Sequence, residues 1–125
     1  MPSDTSDVVR TGDVSQEVED EIASWTSLFI SAEGFATSVR RRLKLKEVAV
    51  YRRDKDGKPH SRVTFELVVD EDMVNLNGTM HGGCAVFLID ICSSMALAVL
   101  AAHTGKPNKF VSQALNTTFH APAPL

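Results

Sequence analysis

The chain has little of what marks the more specialised protein classes. It holds two cysteines, one tryptophan, one tyrosine and a formal net charge of -3. Two cysteines make no disulfide framework. Cys84 and Cys92 also fall in a single apolar run, where on one helix they sit about 12 Å apart along the axis, beyond the reach of a bridge. Free thiols in a reducing compartment are the expectation. The small acidic balance gives no electrostatic basis for binding nucleic acid. No cluster of histidine and cysteine has zinc-ligand spacing, so no metal site is expected. The Gly-Lys-Ser/Thr ending of a phosphate-cradling loop is missing. Met1 to Glu21 is polar and acidic, resembling neither a secretory signal nor a transit peptide. The expected location is the cytoplasm, with the mitochondrion as the alternative. No internal repeat or low-complexity tract interrupts the chain.

What is present is an ordinary globular composition, 43% apolar and 23% charged over 125 residues. That suits one domain with a modest core. Its centre is a polar, glycine-rich stretch, Asn75 to Gly83, which runs into the apolar segment Cys84 to Leu100. A helix apolar on every side is normally a buried one. The segment holds one charged residue, Asp90, and burying a lone carboxylate is costly unless it is paired, hydrogen-bonded or protonated. The same segment is long enough to span a bilayer. Asp90 near its middle would cost about 3 kcal/mol there, and the Ser93–Ser94 pair weakens that reading further.

Upstream, Met1 to about Gly12 reads as disordered, with a tail assigned to 1–14. From Ser15 the residues Val18, Ile22, Trp25 and Phe29 recur at helical spacing. A second short helix is expected from Phe35, with Val39 and Leu43 on one side, so that 15–45 form a helical extension. Arg40, Arg41, Arg42, Lys44 and Lys46 are the one basic cluster. They serve either a solvated helix end near the favourable dipole or the phosphates of an anionic ligand. A hairpin follows, with Val48, Val50 and Arg52 on one arm and turn chemistry at Asp54-Lys55-Asp56-Gly57. The other arm has Val63, Phe65, Leu67 and Val69 on one face. Gly105 and Pro107 stop the long helix, and Phe110 to His120 reads as another strand. A small sheet packed on one long helix is an α+β architecture.

A glycine-rich turn feeding a helix presents unpaired N–H groups at its positive end. They suit an anion, or a carbonyl oxygen that gains charge in a transition state; the amide of Gly82 or Gly83 is the candidate donor. The same glycines also suit a tight helix entry. His81 is a brace for the loop or a base, and Asn75 is a turn residue with both a donor and an acceptor. Asp90 lies about 10 Å beyond Gly83 along the helix axis. A reacting carbonyl must sit about 3 Å from both its donors and its acid or base. One copy of the helix cannot provide both. Either the two features are unrelated, or a site forms between two subunits. Ser94, one turn on from Asp90, is placed to hydrogen-bond the carboxylate.

The run Asn75-x-x-Gly78-Thr79-Met80-His81-Gly82-Gly83, then Leu88-Ile89-Asp90 and Ser94-Met95-Ala96, resembles the hotdog-fold thioesterases of the phenylacetate-degradation type. Val111 to Pro122 is similar to the strand that follows the central helix in that family. The resemblance covers Val48 onward, and 46–125 are expected to form the hotdog domain, an antiparallel sheet around one long buried helix. The family pattern continues about three strands beyond Pro122, so the domain is expected to be C-terminally incomplete at Leu125.

The resemblance implies hydrolysis of an acyl-CoA, within fatty acid metabolism, by a homodimer or homotetramer without a cofactor. By that likeness Gly82 gives its N–H to the thioester oxygen, and Asp90 of the other subunit acts as general base or nucleophile. Asn75 places the water, His81 orients the loop and Ser112 assists near Asp90. Gly83 and Ser94 are expected to line the substrate. The alternatives are a hydroxyacyl-thioester dehydratase with His81 as base, and a non-catalytic acyl-CoA-binding or interaction module.

Overall fold

The structure is a computed structural model that describes residues 4–107, 109 and 111–125. Strand β1 (Val9–Gly12) leads into helix α1 (Gln16–Ser31) and the single turn α2 (Thr37–Arg40). Strands β2 (Lys44–Arg52) and β3 (Pro59–Glu66) form the hairpin. A 3-10 turn (Glu71–Met73) then precedes helix α3 (Gly82–Thr104). The sheet order is β1-β2-β3, with β2 and β3 antiparallel. Gly57 has the positive φ that the hairpin turn needs. A bulge near Lys46 shifts the register between Leu45 and Glu47.

Helix α1 begins where Ser15 accepts a hydrogen bond from the Val18 N–H at 3.3 Å. Glu17 and Glu19 occupy its first turn, where the dipole favours acids. It buries Val18, Ile22, Thr26 and Phe29, a single stripe at helical spacing. Val18 and Ile22 join Val8, Leu45, Val48, Val50, Met95 and Val99 in one core between α1, the sheet and α3. Ser61 pins β3 to α3 by donating to the Ala96 carbonyl at 2.6 Å. Helix α3 ends at Gly105, left-handed at φ 70.

Three features depart from the sequence reading. Val9–Gly12, expected to be disordered, pair in parallel with β2. This placement is tertiary in origin. Val8 is buried in the core, and Arg10 is held by both carboxylate oxygens of Glu19 at 2.9 Å. The second is the expected strand from Phe110, a residue outside the described ones. Residues 111–120 carry no strand, because their backbone meets no sheet edge. Instead the segment runs back along α3, from Ser112 at Asp90 to Phe119 at Gly82. It joins the preceding loop where the Met80 N–H donates to the Ala123 carbonyl at 2.8 Å. The third concerns α3, which is covered along one stripe only, at Met95, Ala98, Val99 and Ala101. A three-stranded sheet is too narrow to enclose it, and Ile89 and Leu97 stay 43% and 46% exposed.

Candidate active site

The site begins with the loop that launches α3. Asn75 closes that loop with its whole amide group. Its N–H donates to the Thr79 carbonyl at 2.8 Å. Its side-chain oxygen accepts from the N–H groups of Asn77 and Thr79, and its Nδ2 donates to Thr79 Oγ1 at 3.0 Å. Gly78, at φ 74, supplies the left-handed step. Asn75 therefore braces its own loop.

His81 is the N-cap of α3. Its N–H donates to the Met73 carbonyl at 2.7 Å, its carbonyl accepts from Ala85, and its Nδ1 accepts from the Gly83 N–H at 2.8 Å. An accepting Nδ1 requires the neutral ring with its proton on Nε2. This arrangement separates the two glycines. The Gly83 amide is consumed by His81, while the Gly82 amide has no acceptor among the described residues. An orphan donor at a helix N-terminus is suited to an oxygen that gains negative charge. Beside it opens a cleft of about 480 Å³ lined by Asn75, Thr79, Gly82 and Phe119.

Asp90 is half-buried rather than enclosed. Ser112 Oγ donates to its Oδ1 at 2.5 Å. Ser94 does not reach the carboxylate. Its hydroxyl donates back to the Asp90 carbonyl at 2.7 Å, as Ser93 does at 3.1 Å, the usual local partner for a serine inside a helix. Gly82 and Asp90 lie on one continuous helix and are about 12 Å apart along its axis.

The basic cluster is largely spent on the fold. Arg40, nine-tenths buried, and Arg41 donate to the Phe29 and Ile30 carbonyls at the end of α1. Arg41 also pairs with Glu33, and Arg42 bridges Asp70 and Asp72 across the 3-10 turn. Arg42 thus ties the N-terminal extension to the loop that carries Asn75 and His81. The sequence reading did not find this tether, although the acids at 70 and 72 complement an arginine run. The Arg42 hydrogen bond holds the Asp72 carboxyl below its ordinary value. Burial pushes the Cys92 thiol up to about 11, and burial also raises Cys84. Both cysteines are free. Among the described residues no three His, Cys, Asp or Glu side chains are grouped to hold a metal.

By length and composition α3 is long and apolar enough to cross a membrane, but a core helix of a soluble protein passes the same test. It carries Asp90 and packs on β3 and α1.

Residues 77–125 match the family profile described as Thioesterase superfamily. Over 64 residues the chain is 41% identical to acyl-coenzyme A thioesterase 13 of Homo sapiens, and equally to that of Pongo abelii. The aligned stretch is 51% of this chain and 43% of each relative. The chain thus spans less than half the length of the curated relatives it matches. No solved structure matches it. The profile begins in the loop that closes on Asn75 and takes in His81, Gly82, Asp90 and Ser112, the groups whose geometry sets this site apart. Residues 77–125 are thus similar to the Thioesterase superfamily, and the described residues form an α+β layout of a three-stranded sheet and one long helix.

Proposed function

We propose that the chain is an acyl-CoA thioesterase whose reaction centre is built by two copies. One copy offers the Gly82 amide to the thioester oxygen, and the other offers Asp90. Asp90 takes a proton from water as the water adds to the carbonyl, and negative charge collects on the oxygen facing Gly82. The C–S bond then breaks, giving the free acid and CoA. Ser112 steadies the Asp90 carboxylate, and the His81 bond to Gly83 fixes the helix entry so that Gly82 alone faces the substrate. Asn75 keeps the loop closed and has one further amide hydrogen to offer water.

One observation carries this reading. The Gly82 amide, without an acceptor among the described residues, and the serine-bonded Asp90 carboxylate share a helix yet stand about 12 Å apart. Within one chain they cannot meet on a single carbonyl. The exposed Ile89 and Leu97 on the same helix give a second copy an apolar face to cover.

Mixing two inactive variants tests the arrangement. Asp90→Asn and Gly82→Pro each spoil both centres of a homodimer. A mixed pair joins the intact Gly82 of one chain to the intact Asp90 of the other and restores one of its two centres. Equal mixing with subunit exchange should therefore recover about a quarter of the wild-type rate in a two-fold pair. A mixture that releases no more CoA than the separate variants would remove the shared centre from the account.

A further inference from the structure

On the opposite side of the α3 entry from the Asn75 cleft lies a second cavity, of about 350 Å³. Its floor is Met73 and Val39, both essentially buried, and its walls include Val74, Cys84 and Phe87. His81 and Gly83 stand at its mouth, one residue from the Gly82 amide. The one carboxylate on its rim, Asp72, is neutralised by Arg42 at 2.5 Å and held by Ser38 at 3.1 Å. The lining is apolar and the size falls in the range of small-molecule sites.

The far wall comes from the N-terminal extension. Phe35 is 79% exposed, yet its ring meets Phe87 edge-on, with centroids 5.3 Å apart and planes at 67°. Its position is built rather than loose. Thr37 Oγ1 bonds both the N–H and the carbonyl of Gly34, at 3.0 and 2.7 Å. Ala36 takes a left-handed conformation at φ 51, ψ 40, which costs energy for a residue with a Cβ. Strain retained next to an exposed aromatic at a cavity rim is an observation that asks for a function.

We propose that this cavity receives the hydrocarbon tail of the acyl group, and that Phe35, closing it against Phe87, is the residue that sets acyl length. The inference rests on the acyl-CoA reading. Gly82 lines the Asn75 cleft and its neighbours His81 and Gly83 line this cavity, so a thioester held at the Gly82 amide reaches it by passing its tail around the helix entry. An apolar lining without a free charge accepts methylenes and rejects a second carboxylate.

The test is calorimetric binding of non-hydrolysable 2-oxoalkyl-CoA thioethers with short, medium and long chains, to the whole chain and to Phe35→Ala. In the wild type, affinity should rise about fourfold per methylene until the cavity is full. Phe35→Ala should cost medium and long chains about tenfold and leave the shortest within about twofold. Equal loss at every length, no loss at any, or loss of the oligomer would overturn the assignment. CoA release by the wild type is followed in parallel. Chain-dependent binding that needs Phe35, but with no CoA release, would end the hydrolase reading and leave the cavity assigned. Release with a length profile blind to Phe35 would do the reverse.

Discussion

Replacing Gly82 with proline deletes one N–H and little else. Position 82 is the first residue of α3, where proline is well tolerated because that N–H has no intrahelical acceptor. The preceding His81, at φ -61 and ψ 134, is already in the extended region that a following proline demands. In the Cβ direction the nearest atoms are Phe119 Cζ at 3.5 Å and Cε2 at 3.7 Å, ordinary contact distances. The variant should fold with unchanged helix content by circular dichroism. If the Gly82 amide bears the charge of the tetrahedral intermediate, its loss should lower kcat by about 100- to 1000-fold, about 3 to 4 kcal/mol. KM should move little, because the bond strengthens only as charge develops. Gly82→Ala is the control: it adds a Cβ and keeps the N–H, so its kcat should stay within about threefold. The assay is release of CoA thiol across a range of substrate concentrations. A proline variant with wild-type kcat, or an alanine variant as impaired as the proline one, would refute the assignment.

Two further outcomes follow from the thiols and the acidic tether. Cys92, with its thiol at about 11, should react with a neutral alkylating reagent at pH 8 about a hundredfold more slowly than in urea-unfolded chain, as measured by mass spectrometry. The raised value also adds stability that is present below the unfolded thiol's pKa and is lost as pH rises through about 11; equal labelling rates in the two states would contradict both statements. The Asp72 carboxyl, lowered by its hydrogen bond to Arg42, contributes stability above its ordinary value of 3.8, and that contribution disappears as pH falls through the lower folded value. Melting temperature followed between about pH 5 and pH 3 should therefore fall less steeply in Arg42→Gln than in wild type, and identical slopes would count against the pairing.

Local chemistry made much of the fold legible. Ser15 caps α1 where its apolar stripe begins, Asp54 to Gly57 turn the hairpin, and Gly105 ends α3. What the sequence hid depends on distant partners. Four residues as polar as Val9–Gly12 become a strand only because β2 stands beside them, and parallel pairing leaves no turn signature in the chain. The segment from Val111 has strand-like alternation, but its neighbours are a helix and a loop. At the site, sequence spacing placed Gly82, His81 and Asp90 at the entry and in the third turn of α3, yet could not choose between two adjacent glycine amides. That choice turns on one imidazole nitrogen. Ser94 shows the converse: helical spacing put it near Asp90, but its hydroxyl is satisfied by the backbone one turn back.

Helix α3 is unbroken from Gly82 through Asp90, and this makes it a ruler. A side chain between the two landmarks can be exchanged with no change in their separation. Adding or deleting a single residue there would swing Asp90 around the axis by about 100° and slide it about 1.5 Å. In a two-fold pair, such a change would put both centres out of register at once. On the proposal of a shared centre, the length of this stretch governs activity more than its spelling does.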